Sequence, residues 1–96
     1  ENVSIVCMGK AALSPAEEDT WCAEYIRALL LGEDYPIEDR LMKLRDLEGR
    51  RFFRPDNQEQ CPERDFFLAT QTGTFDFVLK VTKTSDGLLK LVKENI

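Results

Sequence analysis

The sequence predicts a small layered α/β domain, with α+β as the alternative, and the element order β-α-α-α-β-β. Three observations lead to this prediction. A short apolar run at residues 3–8 precedes Gly9, as in a buried strand. Apolar residues then recur at helical spacing in three successive segments. From Phe75 onward apolar and polar residues alternate, and Ser85, Asp86 and Gly87 predict the turn of a C-terminal β-hairpin.

The first strand and first helix have the clearest signals. Ser4 is the only polar member of residues 3–8, so we expect a strand that is covered on both faces. Ser14 can cap a helix, Pro15 suits its first position, and Glu17 completes a capping box. We expect this helix to run to about Leu31, with Gly32 as its stop.

The later elements are shorter. A second helix is expected from near Tyr35 to Gly49, and residues 50–60 are expected to form a loop apart from two phenylalanines. A third helix is expected from Pro62 to Gly73. The alternation that begins at Phe75 predicts a half-buried strand, whose hairpin partner begins near Leu89.

The composition limits the class of protein. The 96 residues are enough for one domain, covering 1–96. A net charge of −5, with basic residues dense only at Arg50, Arg51 and Arg54, argues against a nucleic-acid partner. No apolar run approaches the roughly 20 residues that span a bilayer, so we expect no membrane association.

Cysteine and histidine usage excludes several chemistries. The chain has three cysteines, Cys7, Cys22 and Cys61, without a Cys-x-x-Cys pair, and it has no histidine. These counts exclude zinc fingers, zinc hydrolases with histidine ligands, and Ser-His-Asp triads. They indicate reduced thiols in the cytoplasm, with Cys7 as a small core residue.

The chain starts directly on its first predicted strand and has no initiating methionine. We therefore expect the C-terminal domain of a longer two-domain protein, with the other half upstream. Whether such a domain acts as an enzyme by itself stays open at this point.

The junction between the first strand and the first helix is the most informative place for chemistry. Ligands of open α/β sheets bind at such junctions, beside helix N-termini. Gly9 lets the backbone approach a ligand, and Lys10 with the free backbone amides can hold an anionic group. The spacing differs from a P-loop, because no second glycine precedes the lysine.

Acidic and basic residues supply further candidates. Glu18 and Asp19 face partly toward apolar neighbours, where an acid is costly unless it is paired or binds a cation. The alternative is that they only compensate the helix dipole. Arg50 and Arg51 follow Gly49 and either bind a phosphate or carboxylate or are simply solvated. Asp65 is a weaker candidate, because a first-turn acid of the third helix is common.

A pattern in the first 30 residues resembles a known family. The apolar run ending in Cys7, Met8 and Gly9, followed by Glu18 and Asp19 and then by a small residue at Ala23, resembles the C-terminal half of the 2-phosphosulfolactate phosphatase family, the ComB-like proteins. The resemblance implies two similar α/β halves with the site between them. It also implies a Mg²⁺-dependent hydrolase that removes phosphate from 2-phosphosulfolactate, a step toward coenzyme M.

The resemblance assigns roles residue by residue. It implies that Glu18 and Asp19 are the catalytic and metal-holding acids and that Gly9 shapes the loop. Arg50 and Asp65 match less tightly. The implied partners are the N-terminal half of the same protein and a small anionic phosphate ester. Because of their charge and position, Lys10, Arg50 and Arg51 are the residues that we expect to contact this anion.

A second hypothesis belongs to another class. The wide apolar surface of the first helix, with Trp21 and Tyr25, would suit a non-catalytic docking or oligomerisation domain on the same scaffold. The quaternary state stays open, a homodimer being one possibility.

Overall fold

The computed structural model describes residues 2–96, which form an α+β fold in which helices precede a two-stranded sheet. The predicted helices and the C-terminal hairpin are confirmed. In chain order the elements are α1 (Glu17–Leu31), α2 (Ile37–Arg45), a first 3₁₀ helix (Glu48–Phe53), a second 3₁₀ helix (Pro55–Asn57), α3 (Glu63–Ala69), β1 (Phe77–Lys83) and β2 (Leu89–Asn95).

The predicted N-terminal strand is wrong for this structure. Residues 2–8 contain no regular element and are exposed, with Val6 78% and Met8 69% accessible. A strand needs a neighbour to satisfy its backbone groups, and the sheet formed by the described residues contains only β1 and β2. Cys7, expected in the core, is exposed for the same reason.

Of the two predicted ends of α1, the C-terminal one is confirmed and the N-terminal capping box is wrong. Its cap is Ala16, in an extended conformation and without a side-chain hydrogen bond, so the predicted Ser14 capping box is wrong. The predicted C-terminus is confirmed. Gly32 takes a left-handed φ of 68°, and the backbone N–H of Glu33 donates to the carbonyl of Ala28 at 2.9 Å.

Helix α2 ends at Arg45 rather than at Gly49, and the first 3₁₀ helix occupies part of the predicted loop. Gly49 is buried, and a Cβ there would lie 2.6 Å from Phe66 Cε2 and 2.7 Å from the Leu44 carbonyl oxygen. The glycine therefore serves close packing against α3 instead of ending α2. Helix α3 is also shorter than predicted, since it ends at Ala69.

The apolar core is small and centres on Phe66. Only Ala16, Ala28, Leu44 and Phe66 are buried apolar side chains among the described residues. The Phe66 ring meets the ring of Phe53 edge-on at 5.0 Å and that of Phe67 at 5.6 Å. This aromatic cluster joins α3 to the first 3₁₀ helix.

The hairpin projects from the helical part. Its antiparallel register runs from Phe77 opposite Asn95 to Lys83 opposite Leu89. The prediction of a half-buried strand is wrong, because Leu79 is 59% exposed and the strands make little contact with the helices. The radius of gyration, 16.2 Å, accordingly exceeds the roughly 12–13 Å expected for a compact domain of this length. Within the described residues, no helix combines the length and apolar character needed to cross a membrane.

Two neighbouring phenylalanines of α3 provide a test of this core. We expect Phe66→Ala to lower the free energy of unfolding by about 3–5 kcal/mol, because it empties the centre of the aromatic cluster. Phe67, 47% exposed, is the matched control, and its replacement by Ala should cost only about 1 kcal/mol. Chemical denaturation followed by circular dichroism measures both. Equal losses would show that Phe66 is not the centre of the core.

Candidate functional site

A tight loop, residues 9–14, leads into α1. It closes through the Lys10 N–H, which donates to the Ser14 carbonyl at 2.7 Å, and the Leu13 N–H, which donates to the Lys10 carbonyl at 2.9 Å. Gly9 has a φ of 70°, and a Cβ there would collide with the Ser14 carbonyl oxygen. Ala11 and Ala12 are also left-handed, at φ 52° and 57°, a conformation that costs a non-glycine residue about 1–2 kcal/mol. The loop is therefore held in a strained shape.

Asp19 holds this loop against the first turns of α1. The backbone N–H of Gly9 donates to Asp19 Oδ2 at 2.6 Å in a partly buried hydrogen bond. The Cys7 thiol donates to the backbone carbonyl of the same residue at 3.5 Å. One carboxylate oxygen of Asp19 is thus used to position Gly9, which leaves Oδ1 for another interaction.

Lys10 connects the loop to the first 3₁₀ helix through an ion pair with Glu48. The hydrogen bond to Glu48 and the attraction of its charge raise the pKa of Lys10 above 10.5, and Glu17 and Glu18 add smaller effects of the same sign. The same hydrogen bond, followed by the charges of Lys10, Arg51 and Arg50, lowers the pKa of Glu48 below 4.5. The pair joins residues 38 positions apart in the sequence.

Beside this ion pair lies an open cleft of about 710 Å³, which we call the arginine cleft. Its charged lining consists of three acids and three arginines, so its formal charge is zero. These side chains are Glu17, Asp46, Glu48, Arg50, Arg51 and Arg54. The arginines can bind a phosphate or carboxylate through paired N–H donors, although the three acids offset their charge.

A second cleft, of about 640 Å³, runs along α1 and is mostly apolar. Trp21 and Tyr25 contribute to its wall, and Trp21 also lies under the guanidinium of Arg40, 5.5 Å from the ring centre. This apolar cleft includes Glu18 and Asp19 and shares Glu48 and Arg51 with the arginine cleft. The predicted acids and the predicted anion contacts therefore belong to adjoining surfaces.

Two carboxylates at the start of α1 have an unpaired oxygen. Oε2 of Glu17 and Oε2 of Glu18 are shielded from solvent and accept no hydrogen bond. A shielded carboxylate oxygen is costly without a partner, and a cation would satisfy it. Within residues 2–96 no group of three or more His, Cys, Asp or Glu side chains is arranged around a metal position. Mg²⁺ commonly uses only one or two carboxylates and keeps several waters, so the acids at this helix start fit it.

Most of the predicted site residues lie in this region. Glu18 and Asp19 line the apolar cleft, Arg50 and Arg51 line the arginine cleft, and Gly9 and Lys10 contact those linings directly. Asp65 lies elsewhere: it is exposed in the first turn of α3, 4.0 Å from Arg64, and it lines neither cleft.

Sequence reasoning missed three residues of the site. Glu48 contacts Lys10, Arg54 extends the arginine cleft, and Glu17 has an unpaired oxygen where a capping role was expected. One feature of the sequence could have indicated Glu48, because this residue directly precedes Gly49 and the two arginines. The ion pair itself depends on tertiary contact.

Comparisons with known proteins identify no relative. A scan against protein-family models, a search of curated proteins and a search of solved structures each find no match to this chain.

The ion pair makes a prediction about pH. Because the folded pKa of Glu48 is lowered, its contribution to stability is present above about pH 4.5 and is lost as the pH falls through the folded pKa. We expect Lys10→Met to return the pKa of Glu48 toward 4.5, as measured by NMR titration of the side-chain carboxyl. Lys90→Met on the hairpin removes the same charge and should leave this pKa unchanged. An unshifted pKa in Lys10→Met would contradict the ion pair.

Proposed function

We propose that this chain is the C-terminal half of a cytoplasmic, Mg²⁺-dependent phosphatase that hydrolyses 2-phosphosulfolactate or a similar small anionic phosphate ester. The observation that carries the proposal is the meeting of Lys10, the acids at the start of α1 and the arginine cleft around Glu48. The resemblance to the ComB-like family points to Gly9, Glu18 and Asp19 within this region, and less tightly to Arg50.

The basic residues have the chemistry to recognise the ester. Arg50 and Arg51 present planar guanidinium groups, which bind phosphate and carboxylate through two parallel hydrogen bonds. Lys10 adds a compact charge, which contacts Glu48 in the free chain. A substrate that carries a phosphate and a second acidic group would use both kinds of contact.

Glu18 and Asp19 are the acids that we assign to Mg²⁺ binding and to proton transfer from the attacking water. The unpaired oxygen of Glu18 and the remaining oxygen of Asp19 are the donors we assign to Mg²⁺. When bound, Mg²⁺ neutralises phosphoryl oxygens and lowers the pKa of an attacking water. Because the chain contains no histidine, a carboxylate is left to accept the proton of that water, and we assign this role to Glu18.

The N-terminal half is the proposed partner. The arginine cleft is open to solvent, and Val6 and Met8 are exposed in the segment that precedes the loop carrying Lys10. A second α/β half packed there would cover this apolar segment and close the cleft. Closure excludes water and strengthens every charge interaction with the bound ester.

Turnover tests the proposal directly. We expect the protein that includes both halves to release phosphate from 2-phosphosulfolactate only when Mg²⁺ is present. Asp19→Asn retains an oxygen that can accept from the Gly9 N–H but removes the charge, and it should lower turnover by about 100-fold or more. Glu18→Gln removes both the proposed proton acceptor and a proposed Mg²⁺ donor. It should therefore lower turnover by about 100-fold or more and raise the Mg²⁺ concentration needed for half activity by about 10-fold or more.

The controls separate charge from position. Glu33→Gln, beyond the C-terminus of α1, changes the net charge equally and should leave turnover unaltered. Asp19→Ala also removes the hydrogen bond to Gly9 and should be at least as impaired as Asp19→Asn. Full turnover and unchanged metal dependence in Asp19→Asn would remove Asp19 from the catalytic assignment.

A docking or oligomerisation domain is the second candidate function, and the exposed hairpin favours it. Leu79, Val81 and Leu91 share one face of the sheet and are 58–63% exposed. Contiguous apolar surface of this kind commonly marks an interaction site. If docking is the function, the N-terminal half or a second copy of the chain is the partner, and the charged site has no catalytic role.

Solution mass distinguishes the two functions. If docking is the function, we expect a stable complex, with the N-terminal half or with a second copy, whose mass is independent of Mg²⁺. Replacing Leu79 with Lys should then raise the dissociation constant by about 10-fold or more, because a charge would be buried without a partner. Analytical ultracentrifugation measures both, with Lys80→Gln on the opposite face as the control. A monomer under all conditions would exclude the docking function.

A further inference from the structure

The charge balance of the arginine cleft is unusual for an anion site. Three arginines line it, but Glu17, Asp46 and Glu48 cancel their charge. A neutral lining gives a phosphate dianion little net attraction. Binding is favoured only if one of these acids ceases to face the arginines or is itself neutralised.

Glu48 is the acid whose position opposes the anion most directly. It forms the ion pair with Lys10, and Arg51 and Arg50 are the next charges that act on its carboxylate. The Glu48 carboxylate makes with Lys10 the contact that a phosphate oxygen would make. It therefore competes with the ligand for Lys10, and its charge offsets part of the attraction that both arginines exert on an anion.

The competing contact is also easily exchanged. The side chains of Lys10 and Glu48 are 49% and 34% exposed, so water and ligand reach both. Exposed ion pairs contribute little to stability, and displacing one costs correspondingly little. Glu48 also lines the arginine cleft, so a ligand that enters the cleft meets its side chain directly.

We propose that Glu48 is an internal competitor for the phosphate group: it occupies Lys10 in the free chain, is displaced by a bound phosphate, and returns to Lys10 as phosphate leaves. The inference rests on the proposed function for its physiological meaning, since return of Glu48 would promote release of the inorganic phosphate product. Glu48 acts through Lys10 and the arginines, as a positioning residue, and takes no part in bond cleavage.

Binding of inorganic phosphate to the chain provides the test. NMR titration, following the side-chain N–H signals of Arg50 and Arg51, measures the dissociation constant. We expect Glu48→Gln to bind phosphate about fivefold more tightly, the effect of one unit charge removed at about 4 Å in water. Glu33→Gln makes the same change in net charge and should leave the constant unaltered.

A double-mutant cycle identifies the mechanism. Lys10→Met should weaken phosphate binding by about twofold or less in the wild-type background, where Glu48 occupies the lysine. The same change should weaken it by about fivefold in the Glu48→Gln background, where Lys10 is free to bind the ligand. Independently of any variant, saturating phosphate should shift the Glu48 carboxyl signal, because that group loses its contact with Lys10.

The outcomes are separable from those of the turnover assay. Tighter binding in Glu48→Gln together with no turnover would support the competitor and remove the phosphatase function. Three results would each overturn the proposal that Glu48 competes with phosphate. They are unchanged or weaker phosphate binding in Glu48→Gln, additive effects of Lys10→Met and Glu48→Gln on phosphate binding, and a Glu48 carboxyl signal that phosphate does not shift. In a turnover-competent protein, Glu48→Gln should also strengthen product inhibition by phosphate about fivefold.

Discussion

The packing of Phe66 against Gly49 is the contact on which the arrangement of this chain depends. The ring lies where a side chain at position 49 would have to lie, so α3 can approach the first 3₁₀ helix only because a glycine is there. Phe52 and Phe53 of that helix surround the same ring. Because the helix is held in this way, Glu48, Arg50 and Arg51 are presented on one short, ordered segment instead of a loop.

The start of α1 is held by polar contacts rather than by apolar packing. Asp19 binds the backbone of Gly9, and Lys10 reaches across to Glu48. Each contact is local or exposed, so their combined effect on stability is modest. Their effect on position is larger, because they bring the loop, the acids of α1 and the arginine cleft into one charged region. Glu17 and Glu18 complete this region with oxygens that lack a partner.

The distribution of apolar surface bears on both candidate functions. The four buried apolar side chains form a small core for 96 residues, whereas residues 2–8 and the hairpin expose most of theirs. A second protein surface over these segments would add the burial that a chain of this size needs. Such a partner is compatible with a two-half phosphatase and with a docking domain, which is why turnover and association must be measured separately.

The sequence by itself determined the local features of this protein. Helical spacing and Gly32 predicted α1 and its C-terminus, and alternation with a Ser-Asp-Gly turn predicted the hairpin, because these signals act over a few residues. It also indicated Gly9, Lys10, Glu18, Asp19, Arg50 and Arg51 as site candidates. Only the tertiary structure decided that Gly49 is a packing position, that residues 3–8 lack a strand partner, and that Glu48 occupies Lys10. These outcomes depend on contacts between residues far apart in the sequence, and a pattern that extends over a few residues does not predict such contacts.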